Sequence, residues 1–336
     1  VPYSTFNIKG EEVSVWTTFG KETPSEQIDL DINSDAVRQL LKEFFENFHK
    51  NNVKIVRLDA IGYVTKKLGT SCFFVEPDIW NLLYDIDKTA NEAGAEILPE
   101  IHEHYTIPLK IADKGFWIYD FALPVLTLHA LYNHTGEYLK KWMEKCSMKQ
   151  FTTLDTHDGI GIVDVKDLIP DEDIEKIKDQ MYSQGANVKA IYNSEKYNNL
   201  DIYQVNTTYY SALGNNDKSY LLARAIQFFA PGIPQVYYVG MLAGANDIEL
   251  LEKTKNGRDI NRHYYSVEEV EENQKREVVQ ELKKLMILRN TDPAFSLEGN
   301  IEIETEGDSL VITRSYLDNK ITLKANLTTY DFEIIH

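Results

Sequence analysis

Residues 53–60, Val-Lys-Ile-Val-Arg-Leu-Asp-Ala, run from apolar positions into Arg57-Leu58-Asp59, and residues 95–102, Ala-Glu-Ile-Leu-Pro-Glu-Ile-His, repeat the design with Glu100 and His102. Each reads as a short buried strand with polar residues at its end. Upstream of the first, Val37, Leu40, Leu41, Phe44, Phe45 and Phe48 recur at helical spacing behind Ser34, a residue type suited to N-capping. Between the two strands, Ile79, Leu82, Leu83 and Ile86 mark a second helix over 78–92, closed by Gly94. The pattern of strand then polar loop returns at Trp117–Phe121, Gln150–Leu154 and Val236–Tyr238. Strands alternating with helices imply parallel β-α units, and polar residues gathered just after each strand are what a (β/α)8 barrel uses to build a site on its C-terminal face. Five such strands are present, whereas a closed barrel needs about eight. The expectation is therefore an incomplete TIM barrel of about five C-terminal β-α units, with apolar edges exposed near Val53 and a tendency to aggregate.

Outside these units, the stretch from Gly159 to Ser211 is polar, rich in Asp, Asn and Tyr, and too long for an ordinary connection. It reads as a flap or small subdomain over the site. A charged helix is expected over 268–289, followed by four short β segments near Ile301, Leu310, Ile321 and Asp331, which form a small antiparallel C-terminal domain. A net charge of −18 over 336 residues disfavours nucleic-acid and anionic-membrane binding. An anionic substrate then needs a local basic pocket. The two cysteines, Cys72 and Cys146, are too few and too far apart for a disulfide framework or zinc ribbon and read as buried thiols. No stretch approaches the ~20 apolar residues of a membrane span.

Three strand ends carry acids. Arg57 and Asp59, two residues apart at a strand end, point to the same face, where a guanidinium orients a carboxylate through charge-assisted hydrogen bonds. By itself an Arg-x-Asp is more often a structural ion pair. Glu100 follows Asp59 by 41 residues, about one β-α unit, so adjacent strands bring the two carboxylates across a small gap. Retaining glycosidases need such a pair roughly 5 Å apart, one to attack the anomeric carbon and one to protonate the leaving oxygen. Asp155-Thr156-His157-Asp158 supplies a third acid, suited to stabilising an oxocarbenium-like transition state. His102-Glu103-His104 could be taken for a metal site, but no further ligand set accompanies it. Gly-x-Ser-x-Gly, a P-loop and a dinucleotide fingerprint are absent.

Arg57-Leu58-Asp59-Ala60, Glu100-Ile101-His102 and His157-Asp158-Gly159 resemble three conserved segments of glycoside hydrolase family 13, the α-amylase clan. The stretches TSCFFVEP, PEIHEHYT, YDFALP, TTLDTHDGIGIVDVKDLIPDEDI, NNLDIYQVN, TYYSALG, FFAPGIPQVYYVG and GRDINRHYY are similar to its sucrose phosphorylase branch over nearly the whole chain. The resemblance implies an α-amylase-type barrel. It divides the chain into the end of an inserted domain (1–32), two parts of a catalytic barrel (33–159 and 212–291) around a flap (160–211), and a C-terminal β domain (292–336). It implies Asp59 as nucleophile, Glu100 as acid and base, and Asp158 as transition-state stabiliser. Arg57 then orients Asp59, His157 holds sugar hydroxyls beside Asp158, and Arg258 contacts the glucose. His102 serves the phosphate or leaving-group side, while Asp201, Tyr203 and Gln204 on the LDIYQ loop serve fructose and phosphate in turn. Sucrose and inorganic phosphate are the implied substrates, fructose and glucose 1-phosphate the products, with no cofactor, no metal, a cytoplasmic location and a possible homodimer. Two other readings stay open: a sister phosphorylase acting on sucrose 6-phosphate or a glucosyl-glycerol compound, and a truncated fragment without activity.

Overall fold

The computed structural model describes residues 3–19, 27–186 and 204–336. They fall into two compact units, one running to Ile101 and including Phe116–Ile118, the other comprising His102–Gly115 and Tyr119–His336.

The first unit opens with a hairpin of β1 (Tyr3–Ile8) and β2 (Glu11–Trp16). Lys9 and Gly10 both take positive φ at its tip, the backbone that suits a tight two-residue turn between twisted strands. The helix Asp35–Lys50, strand β3 (Ile55–Leu58), helix Asp78–Glu92 and strand β4 (Glu96–Pro99) follow, with β3 and β4 paired in parallel. This is the β-α-β unit expected from the two quoted stretches, and Gly94 ends the second helix at φ +74°. The helices differ in how well they are covered. Asp78–Glu92 buries Ile79, Leu82, Leu83, Ile86 and Ala90, whereas Asp35–Lys50 buries Phe45 alone of its stripe and leaves Phe44 46% exposed. Among the described residues β3 pairs with β4 only.

A three-stranded sheet, all but Ile118 of it in the second unit, runs in the order β5 (Ile118–Asp120), β6 (Gln150–Thr152), β9 (Ile233–Pro234), the last two parallel. The last strand corrects the expectation at Val236–Tyr238: pairing is used up at 233–235, where Gln235 N donates to Thr152 O, and Tyr238 starts a short helix. Gly232 is required there, since a Cβ would stand 2.4 Å from Gln150 O. The core lies around two helices, Leu123–Asn133 and Asp217–Phe229, most of whose residues are buried. The charged helix expected over 268–289 is two helices, Val267–Asn273 and Glu277–Thr291. Arg276 separates them in an extended conformation and donates to the carbonyls of Leu242 and Ala243.

Of the stretch between Gly159 and Ser211, β7 (Ile160–Gly161) and β8 (Gln204–Val205) pair antiparallel on either side of the helix Asp171–Ser183. Strands β10 (Asn300–Glu306), β11 (Ser309–Tyr316), β12 (Asn319–Asn326) and β13 (Phe332–Ile335) form the expected antiparallel meander in sequence order. Its inward residues, Ile303, Leu310, Ile312, Ile321 and Leu323, join the second unit's core. Cys72 is buried and Cys146 half-buried, both free. No described helix is long and apolar enough to cross a membrane.

Candidate active site

In the first unit, Arg57 is the penultimate residue of β3 and Asp59 follows the strand directly, so alternation sends both side chains to one side. Arg57 Nη2 donates to Asp59 Oδ1 at 2.8 Å and ion-pairs with Glu100 Oε1 at 2.5 Å. Glu100 directly follows β4, and its N–H donates to Leu58 O at 3.0 Å, extending the parallel ladder by one step. The two acids therefore end adjacent strands and share one guanidinium. Ala60 turns the chain after Asp59 at φ +46°, a left-handed backbone costly for a residue with a Cβ. That turn brings Ala60 N to within 3.4 Å of Glu100 Oε2. The environments contrast: the Asp59 side chain is 76% exposed and that of Glu100 10%. Asp59 presents its carboxylate openly, while Glu100 is packed beneath its arginine.

In the second unit, Asp158 is the centre. Arg258 Nη1 ion-pairs with its Oδ1 at 2.8 Å, Arg262 Nη2 lies 3.7 Å from the same atom, and His157 Nε2 lies 3.7 Å from Oδ2. The backbone around it is held as firmly. Asn261 Nδ2 donates to Thr156 O and Asp158 O, and Arg262 Nε donates to His157 O at 2.7 Å, so three successive carbonyls are occupied. Gln204 Oε1 accepts from Gly159 N at 3.2 Å, tying β8 to this turn. A Cβ at Gly159 would meet Asn206 Oδ1 at 2.7 Å and Val205 O at 2.9 Å, which is why glycine follows Asp158.

Beneath the turn, Asp155 ion-pairs with Arg224 at 2.7 Å, both buried, and Arg224 also donates to Tyr220 Oη and Gln227 Oε1. Burial opposes the Arg224 charge, but Asp155 outweighs it and holds the guanidinium above its usual range. His102 stacks on Phe121 at 3.7 Å between ring centroids, and Phe121 stacks in turn on Tyr119. The His102 Nδ1 lies 3.7 Å from Oδ2 of the buried Asp164, whose carboxylate fits only because residue 161 is glycine. His104 meets other partners, Thr106 and Asp167. Asp120, at the end of β5, accepts from Trp142 Nε1, Gln150 Nε2 and the N–H groups of Ala122 and Leu123. Burial nevertheless pushes its carboxyl up to about 6, with those donors pulling the other way.

The structure thus gathers Arg57, Asp59 and Glu100 in one unit, and His157, Asp158, Gln204 and Arg258 in the other, where His102 meets Asp164 and Phe121. Asp201 and Tyr203 lie outside the described residues. Sequence reasoning missed Asn261, Arg262, Asp155, Arg224 and Asp164. GRDINRHYY contained the first two, but nothing in its spacing tells that their side chains reach carbonyls over a hundred positions away.

No family model matches the chain. It is 53% identical to a sucrose phosphorylase of Streptococcus mutans, over 96% of this chain and 66% of that protein. It is 49% identical to a sucrose 6(F)-phosphate phosphorylase of Thermoanaerobacterium thermosaccharolyticum, over 98% of this chain and 68% of that protein. The chain thus spans about two thirds of the length of these relatives. The crystal structure of a sucrose 6F-phosphate phosphorylase from Thermoanaerobacter thermosaccharolyticum superposes with a TM-score of 0.92 at 48% identity, covering 99% of this chain and 69% of that one. An α-amylase from H. orenii superposes at 0.62 with 14% identity, over 97% of this chain and 63% of its own, a likeness of fold. With strand-end acids on an α-amylase-type fold and half-identical relatives along nearly its whole length, the chain belongs to the sucrose phosphorylase family.

Proposed function

We propose that the chain carries the residues of a retaining glucosyl transfer that converts sucrose and inorganic phosphate to α-D-glucose 1-phosphate and fructose. The observation that supports it most is the shared guanidinium of Arg57. In the first displacement Asp59 attacks C1 of the glucosyl unit through Oδ2, the oxygen that Arg57 does not hold, while Glu100 gives its proton to the departing fructose oxygen. Asp59 loses its charge on becoming an ester, and Glu100 becomes a carboxylate. One negative charge thus faces Arg57 before and after the step, having passed from one acid to the other. In the second displacement a hydroxyl oxygen of the phosphate attacks C1 and gives its proton to Glu100, and Asp59 leaves as a carboxylate. Two inversions retain the α configuration.

Asp158, fixed through its carboxylate and its backbone, holds sugar hydroxyls with His157 and lowers the energy of the cationic transition state. Arg258 contacts the glucose as well as Asp158. His102 serves the phosphate or leaving-group side, and Gln204, with Asp201 and Tyr203, the acceptor. With 35 basic against 53 acidic residues, phosphate binding depends on such local cations rather than on the general field. The reaction places the protein in the cytoplasm, where a phosphorylated product is retained, and a second copy of the chain is its proposed partner, to be checked by light scattering.

The likeness at TM-score 0.92 to a sucrose 6F-phosphate phosphorylase favours a second reading, with sucrose 6-phosphate as glucosyl donor. Glucose 1-phosphate release is measured with phosphate and either sucrose or sucrose 6-phosphate, on the chain and on Asp59→Ala. Release from sucrose that disappears in the variant supports the first reading. Release from sucrose 6-phosphate alone gives the second, and release of free glucose alone counts against both.

A further inference from the structure

Arg258, Asn261 and Arg262, which grip the Asp158 turn, lie on one short stretch, and His263 fastens its end. His263 Nδ1 is 2.5 Å from Asp247 Oδ2, and Nε2 is 3.3 Å from Glu269 Oε1. Each carboxylate is itself fixed. Asp247 caps the helix Ile248–Thr254 by accepting from Leu250 N, and its own N–H donates to Ile260 O at 2.8 Å. Glu269 completes a capping box with Ser266 at the start of the helix Val267–Asn273. An ionised carboxylate only accepts, so the ring satisfies both contacts only when both nitrogens carry a proton.

The other groups around the ring do not compete for those nitrogens. Tyr238 Oη donates to the His263 carbonyl, and the Tyr265 ring meets the imidazole edge-on at 4.5 Å. Lys283 lines the same cavity of about 530 Å³ as His263, and Arg276 faces Tyr265.

We propose that His263 is a positioning residue: by bridging Asp247 and Glu269 it sets the 257–262 stretch that holds the Asp158 turn, and the grip loosens when the imidazole loses its second proton. Burial lowers the proton affinity of this ring, but Asp247 and Glu269 outweigh it and raise it above the usual 6.5. A raised value means that the contribution is complete below 6.5 and is lost as pH rises through the folded value. The contact given up is the longer one, to Glu269, because a neutral ring keeps one N–H. The consequence for turnover rests on the glucosyl-transfer reading; the bridge does not.

The test follows hydrogen exchange, corrected for intrinsic rates, in peptides covering 150–160 and 256–265 between about pH 6 and 9, on the chain, H263Q and E269Q. The chain should lose protection about three- to tenfold in both peptides as pH rises. E269Q, whose amide can accept from the charged ring or donate to the neutral one, should show no pH dependence, and H263Q should be loose throughout. Glu269 is 47% exposed, so E269Q keeps the test informative should H263Q not fold, and protection across β10–β13 reports folding in each protein. Protection in the chain that does not vary with pH overturns the proposal, as does loosening of 256–265 with 150–160 unchanged. Glucose 1-phosphate release is followed in parallel. A pH-dependent grip without turnover upholds the bridge and counts against the glucosyl-transfer reading, whereas turnover with pH-independent protection does the reverse.

Discussion

Asp59 and Asp158 are both acids placed beside arginines after short strands, yet the protein treats them in opposite ways. Asp59 stands 76% exposed, held through one oxygen by a guanidinium that is itself 34% exposed. Asp158 is 12% exposed, faces two arginines, and belongs to a turn whose carbonyls are occupied from above and whose base is pinned by Asp155 and Arg224. The difference matches the work proposed for each. A nucleophile has to form and break a bond and needs an open approach, whereas a stabilising charge acts best when it does not move. Substitutions around Asp59 should therefore show chiefly in turnover, and those around Asp158 in stability as well.

The comparison can be broken most decisively beneath Asp158. Arg224→Met leaves Asp155 as an uncompensated buried charge and should cost ~3–5 kcal/mol, read from urea midpoints. The next effect concerns the same unit and pH. Asp120 has its carboxyl raised from 3.8 to about 6, so its contribution is full below 3.8 and lost as pH rises through 6. Between pH 4 and 7 that loss amounts to ~2 kcal/mol, and Asp120→Asn should remove this part of the pH slope. Asn261→Ala strips the donor from two part-buried carbonyls and should cost ~1–2 kcal/mol. An equally small stability effect belongs to the open side: Arg57→Ala leaves the mostly buried Glu100 without its cation and should cost ~1–2 kcal/mol, while glucosyl turnover falls ~100-fold through misplacement of Asp59. Equal destabilisation by Arg57→Ala and Arg224→Met would erase the distinction.

These residues also mark how far sequence reading reaches. The helix over 78–92 is found at the residues expected, because its apolar face and its terminal glycine are local signals. Asp59 and Glu100 were legible because strand, helix and strand fix which residues end next to each other. Asn261 and Arg262 were not, since what matters is where their side chains arrive after a hundred intervening positions. Arg276 shows the same limit in the fold. By composition it continues a helix, but carbonyls from another segment draw it into an extended break. Val236–Tyr238 failed for the opposite reason: its apolar composition suited a strand, but the available pairing had been taken by the residues just before it.

Arg314, on β11, is fully buried and donates to the carbonyls of Phe229 and Ala230, 85 and 84 positions earlier, and to those of Phe295 and Ser296. Arg289 adds bonds to Phe228 O and Gly232 O. Together they cover the carbonyl end of the Asp217–Phe229 helix, where cations are favoured. During synthesis that helix leaves the ribosome well before either arginine, so its last carbonyls have to remain hydrated until β11 is made. Contacts this distant along the chain form late, and a ribosome stalled after this helix has emerged but before Arg289 has would display a helix with an apolar face and an unfinished end. Codon changes that slow translation across that interval should lengthen the nascent chain's exposure to chaperones and proteases without altering a single side chain.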